Sequence, residues 1–180
     1  MDVEVITGDV LDVPADVLIS TANPWLHMTG GVNLKIILRE RGEDVHAELQ
    51  AHLRAAGGRM VEPGTVVRTG PGSLPVKHIL HAVSIRPDYD SSVDLAAATI
   101  TRALALSREL GARTVTIPAL ATGFGPLSME EFAEALCRAA SRDWAPIRTL
   151  KPVLLRAEDA DAVRARLGRR SGFQPDDPEQ

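Results

Sequence analysis

The chain carries a single cysteine, Cys137, in 180 residues. It can form neither an intramolecular disulfide nor a cysteine-ligated zinc cluster, which fits a reducing compartment. No apolar run approaches the roughly 20 residues that cross a bilayer, and the opening Met1-Asp2-Val3-Glu4 is acidic where a secretory signal is basic. The expectation is a soluble, cytoplasmic protein with no membrane contact. Excess positive charge is lacking as well. A formal net charge of −4 and a pI near 5.7 argue against bulk nucleic-acid binding, which depends on many Lys and Arg contacts. No Walker loop is present, because neither glycine loop is followed by Lys and then Ser or Thr, and the three-glycine dinucleotide fingerprint is missing after the first strand. The histidines are poorly spaced for a metal. His78 and His81, three apart in an extended segment, face opposite sides, and His46 and His52 do not share a helix face. No serine or cysteine nucleophile motif occurs, and Cys137 falls in a helical apolar pattern that reads as core. Neither metal nor cofactor is expected.

What is present is a chain 44% hydrophobic, enough to bury a core of its own in one domain. Short β-branched runs alternate with segments of helical period, the pattern of an α/β domain with a covered, largely parallel sheet. Strands are expected at Val3–Thr7, Val17–Thr21, Thr65–Thr69, His78–Val83, Thr114–Ile117 and Pro152–Leu155. Helices are expected at Val32–Glu40, Glu43–Ala56, Ser92–Leu110, Ser128–Ser141 and Ala160–Leu167. Ser128 with Glu131 has the capping-box spacing, and Gly111 suits the C′ position after Leu110. The polar, proline-containing residues 169–180 read as a disordered tail, leaving 1–168 as the folded unit.

Two glycine-rich loops run from strand to helix: "STANPWLHMTGGVN", Ser20 to Asn33, and "PALATGFGPLS", Pro118 to Ser128. In open parallel sheets ligands bind beyond the carboxyl ends of the strands, where glycine lets the backbone come close and free N–H groups meet anions. Two such loops suit a diphosphate gripped from both sides. Either loop alone also reads as an ordinary turn.

Taken in order, the motifs resemble those of the macrodomain family. "VITGDVLDVPADVLISTANPWLHMTGGVNLKI", Val5 to Ile36, is similar to its opening strands and first glycine loop; "EPGTVVRTG" and "KHILHAVSI" are similar to its central strand pair, and "IPALATGFGPLS" to its second phosphate loop. The resemblance spans about residues 1–168. It implies a three-layer α/β/α fold with a mixed, largely parallel central sheet, and a monomer that binds ADP-ribose or an ADP-ribosylated macromolecule. It also implies roles by position. Asp9, with Val10 beside it, matches the carboxylate that accepts from the adenine amino group, a task suited to an acceptor-only side chain; the alternative is a cap on the short turn before Pro14. Asn23 matches the asparagine at the distal ribose, and otherwise reads as an Asx turn before Pro24. Gly30, Gly31 and Val32 match the first diphosphate loop; Ala121, Thr122, Gly123 and Phe124 match the second, with Phe124 either covering the distal ribose or anchoring the next helix. Leu155 or Arg156 falls where some members stack an aromatic on the adenine, and the guanidinium plane of Arg156 can stack in its place.

Departures bear on activity. Ser20 and Thr21 stand where Asn-Ala is usual, and Met28 stands where one branch carries histidine. His27 is one residue out of register with that histidine. Asn33 falls where a hydrolytic branch carries aspartate, and an asparagine cannot take a proton from water as a carboxylate can. The principal reading is a binder. The alternative is a metal-independent ADP-ribosyl hydrolase, acting on modified protein, nucleic acid or related esters, with Asn23, His27 and Asn33 as the catalytic candidates and orientation of a water as the main contribution. A further alternative is an interaction domain that has lost its ligand.

Overall fold

The structure, a computed structural model, describes residues 1–39 and 41–168. The stretch 169–180, read above as a tail, lies outside the described residues.

Seven strands form the sheet: β1 (Asp2–Val3), β2 (Ile6–Thr7), β3 (Val17–Ala22), β4 (Val66–Thr69), β5 (His78–Val83), β6 (Thr114–Ile117) and β7 (Thr149–Leu154). Their order is β1-β7-β6-β3-β5-β4, with β2 also on β7, and only the β4–β5 pair is antiparallel. The helices are α1 (Gly31–Ile37), α2 (Gly42–Ala55), α3 (Val93–Glu109), α4 (Met129–Ala140) and α5 (Ala157–Gly168), and a 3-10 turn covers Val10–Asp12. The fold is thus the three-layer α/β/α form expected.

Layering follows from the two-residue period of the strands. On β3, Val17 and Ile19 point into the hydrophobic cluster beneath α3, α4 and α5, while Leu18 and Ala22 point into the one beneath α1 and α2. On β5, Leu80 and Ala82 take the first side and Ile79 and Val83 the second. Cys137 is buried, as its place in the α4 pattern implied. Local capping chemistry holds as read. Ser128 Oγ accepts from Glu131 N while Glu131 Oε2 accepts from Ser128 N, closing the capping box, and Ser92 Oγ accepts from Leu95 N at the start of α3. Gly111 sits at φ +71°, and the Ala112 N–H returns to Ser107 O.

Several boundaries move. The single strand expected at Val3–Thr7 is broken into β1 and β2, each adding in parallel to β7. β7 starts at Thr149 rather than Pro152; proline lacks an N–H and reads as a strand start, yet here it lies inside the ladder opposite Ile117. α1 stops at Ile37, and Glu40, its expected end, lies outside the described residues. α5 begins at Ala157, earlier than the expected Ala160.

At the amino ends of the strands one carboxylate ties three of them together. Asp16 Oδ2 accepts from Arg113 N at 2.8 Å, Thr114 N at 3.0 Å and Thr114 Oγ1 at 3.2 Å, and Oδ1 pairs with Lys77 Nζ at 2.8 Å. The Lys77 contact and the backbone N–H donors outweigh the opposing effect of burial and hold this carboxyl well below the ordinary carboxylate range.

Candidate functional site

The opposite, carboxyl ends of the strands open into a cavity of about 480 Å³, within the roughly 300–1,000 Å³ usual for small-molecule sites. One end lies beside β7. The Gly8 N–H bonds Leu154 O at 2.8 Å, which places Asp9 next to Val153, Leu154 and Leu155 on the cavity wall. The other end lies beyond β5, at Ile85 and Tyr89. From β7 through β6 and β3 to β5 there are three strand intervals, so the floor spans about 14 Å at the usual spacing.

Asp9 caps the short turn, as the second of its two readings expected, and lines the cavity. Oδ1 accepts from Leu11 N at 3.1 Å and caps the 3-10 turn; Oδ2 pairs with Lys35 Nζ at 2.9 Å. Burial alone would raise its pKa, but the Lys35 ammonium and the Leu11 N–H, with Arg39 nearby, lower it below the ordinary value. Asp9 is therefore ionised at neutral pH.

The two glycine loops wall the cavity and touch each other. A methyl group built on Gly30 would lie 2.6 Å from Phe124 Cε2, so the Phe124 ring rests on Gly30. Phe124 is 71% exposed, which removes the core-anchor reading. Its ring packs 6.3 Å from Tyr89, itself 6.1 Å from Trp25. Gly31 takes φ +57° and Ala121 φ +59°, conformations that turn successive amides to one side. Among the described residues no protein group accepts from the N–H of Gly31, Val32, Thr122, Gly123 or Phe124. A run of unpartnered amides on each wall is the main polar feature of the cavity.

Asn23 lines the cavity, but its amide is engaged within the loop: Nδ2 donates to His27 O at 2.9 Å and Oδ1 accepts from His27 N at 3.1 Å. One N–H and one lone pair remain for anything else. The His27 side chain, exposed, also borders the cavity. Met28 is buried in the cluster under α1 and α2, which accounts for an apolar residue there.

Asn33, a catalytic candidate by its position, belongs to the lining of the cavity. It is 2% exposed, and its Oδ1 accepts from Ser20 Oγ at 2.9 Å and stands 3.3 Å from His81 Nδ1. Its side chain serves a polar layer inside the α1/α2 side of the core. His81 Nε2 in turn meets Thr69 Oγ1 at 3.0 Å. Burial pushes His81 down to about 3, so it is neutral. Ser20 and His81 face each other in register on β3 and β5, and with Asn33 they anchor the start of α1 to the sheet. Val10, expected beside Asp9, lines the cavity from the 3-10 turn.

Arg156 does not line the cavity. Its guanidinium makes a bidentate pair with Asp159, at 2.8 and 2.9 Å, and contacts Glu158 at 2.9 Å. Leu155, 66% exposed, occupies the wall instead. Of the two residues at this place, Leu155 is the one on the cavity wall, and α5 begins directly after Arg156. Lys35, Tyr89 and Asp159 also line the cavity and had no motif to announce them. Each arrives from a segment whose local pattern reads only as helix face or turn.

A doubly covered, mostly parallel sheet with two glycine loops meeting over a cleft at its carboxyl ends defines an α/β/α ligand-binding domain. Residues 19–136 match the family model for the Macro domain, and the chain belongs to that family. It is 31% identical over 156 residues to an uncharacterized protein of Pyrobaculum aerophilum, covering 86% of this chain and 83% of that one. It is also 31% identical over 170 residues to a macro domain-containing protein of Streptomyces coelicolor, covering 92% and 98%. Among solved structures it superimposes on a point mutant of the Oceanobacillus iheyensis macrodomain with ADPR at TM-score 0.81, with 23% identity and coverage of 93% and 92%. It superimposes on the Trypanosoma brucei macrodomain in complex with ADP-ribose at TM-score 0.76, with 17% identity and coverage of 92% and 69%.

Proposed function

We propose that residues 1–168 bind ADP-ribose, free or as the terminal group of a modified macromolecule, with the purine at the Asp9 end and the distal ribose toward Tyr89 and Phe124. The observation that carries this reading is the pair of facing loops with unpartnered amides around one cavity. Backbone N–H groups take up a diphosphate without basic side chains, which agrees with the acidic net charge. Asp9 offers an ionised acceptor for the purine amino group, and Val153, Leu154 and Leu155 offer an apolar wall for its ring. The relatives solved with ADPR and ADP-ribose agree with this ligand.

Binding is favoured over hydrolysis by the state of the acidic groups. Asp9 and Asp159 are the carboxylates lining the cavity among the described residues, and both are ion-paired, with Lys35 and Arg156. Asn33 Oδ1 is engaged by Ser20, and Asn23 is held by the His27 backbone. Among the described residues, neither carboxylate of the lining is free of a cationic partner to act as a base toward water.

Calorimetric titration with ADP-ribose tests the proposal. Micromolar or tighter binding is expected, and Asp9→Ala should weaken it about 10- to 100-fold, as for loss of a hydrogen bond to a charged group. Unchanged affinity would remove Asp9 from the site. Glutamate-linked or nucleic-acid-linked ADP-ribose should bind and stay intact; release of free ADP-ribose would establish the hydrolase alternative.

A further inference from the structure

Lys35 lines the cavity at the end where Asp9 stands. It stands on α1, its side chain is 47% exposed, and its ammonium reaches Asp9 Oδ2 at 2.9 Å. That contact is the one hydrogen bond Lys35 makes among the described residues, which leaves two of its three donors unused. Asp9 Oδ2 keeps a further lone pair beside it. The wall behind is formed by Val10, Val153, Leu154 and Leu155. This end of the cavity therefore presents a strong acceptor and a strong donor side by side against an apolar surface.

The edge of a purine carries the same two features in either order. A 6-aminopurine has an exocyclic donor next to a ring-nitrogen acceptor; a 6-oxopurine has a carbonyl acceptor next to a ring N–H donor. A solitary carboxylate suits the first and repels the carbonyl of the second. With an ammonium alongside, the carboxylate takes the exocyclic amino group while the ammonium meets the ring nitrogen. For the 6-oxopurine the partners exchange: the ring N–H donates to the carboxylate and the carbonyl accepts from the ammonium. Resting on the ADP-ribose reading, we infer that Asp9 and Lys35 act as one reader of both purine edges, so that the site takes 6-oxopurine diphosphate riboses, such as inosine diphosphate-ribose, as well as ADP-ribose.

The test is calorimetric titration of the full chain with ADP-ribose and with inosine diphosphate-ribose, for the wild type, Lys35→Met and Lys35→Arg. Wild type should bind the two compounds within about tenfold of each other, and Lys35→Met should lose about 10- to 100-fold more affinity for the inosine compound than for ADP-ribose, the loss expected for one charge-assisted hydrogen bond. Lys35→Arg, which keeps a donor and the charge, should restore inosine binding. Tight ADP-ribose binding with the inosine compound rejected by wild type would overturn the inference, as would equal losses for both compounds in Lys35→Met. If wild type bound neither, the ADP-ribose reading itself would fall, and this inference with it.

Discussion

At the amino ends of the strands, Asp16 accepts from two backbone amides and a hydroxyl and pairs with Lys77, binding the starts of β3, β5 and β6. At the carboxyl ends, the loops after β3 and β6 hold Gly31 and Ala121 at positive φ and leave a row of amides without protein acceptors. The same sheet thus has one pole where donors meet acceptors of the chain and another where they do not. Pairing donors within the chain stabilises the fold, whereas amides left open to the cavity are available to a ligand. The stable pole supports the strained one across four to six residues of strand. Even the glycines at the ligand pole divide by purpose. A Cβ on Gly125 would fall 2.5 Å from Ala121 O, so that glycine closes the turn, while a Cβ on Gly123 would meet nothing, so that glycine keeps the cavity open.

The contrast is sharpest in Asp16→Ala. Stranding its donors should lower unfolding free energy by about 3 kcal/mol without altering ADP-ribose affinity, measured by urea denaturation and calorimetry; the reverse pattern would break the division between poles. Acid should act on the core behind the first loop. His81 binds no proton in the folded chain down to about pH 3 against a reference value of 6.5, so the unfolded chain carries the extra proton in that window. Stability from this group is full above pH 6.5 and falls as pH drops, by about 1.4 kcal/mol per unit. His81→Phe should flatten that limb of the stability curve. Gly123→Val should leave the melting temperature unchanged and reduce ADP-ribose affinity at least about tenfold, about 1.4 kcal/mol, because its side chain enters the cavity. Arg156→Ala, which removes a guanidinium outside the lining but frees Asp159 on it, should change stability by no more than about 1 kcal/mol and ADP-ribose affinity by less than Gly123→Val does.

Much of this was legible because it is local. The capping box at Ser128 and Glu131, the turn at Gly111 and the alternation along β3 and β5 depend on neighbours a few residues apart, and the chain writes them directly. Other features were hidden for the opposite reason. The splitting of β1 from β2 and the early start of β7 depend on a partner strand about 145 residues away. Asn33 read as a cavity residue because its helix begins at the loop, and it does line the cavity, but nothing local announced that its Oδ1 would be engaged by Ser20 and His81. His81 was one half of an unpromising histidine pair, and nothing near it named Asn33 or Thr69 as partners.

Residue order alone determined the layers, the two strand-to-helix glycine loops and the lack of a second cysteine for an intramolecular disulfide, since periodicity, turn geometry and composition act over short range. Tertiary structure alone decided that Phe124 lies on Gly30, that Lys35 meets Asp9, and that Leu155 rather than Arg156 faces the cavity. Those are contacts between distant segments, and a side chain's partner is set by where packing of the whole sheet and its helices brings the backbone.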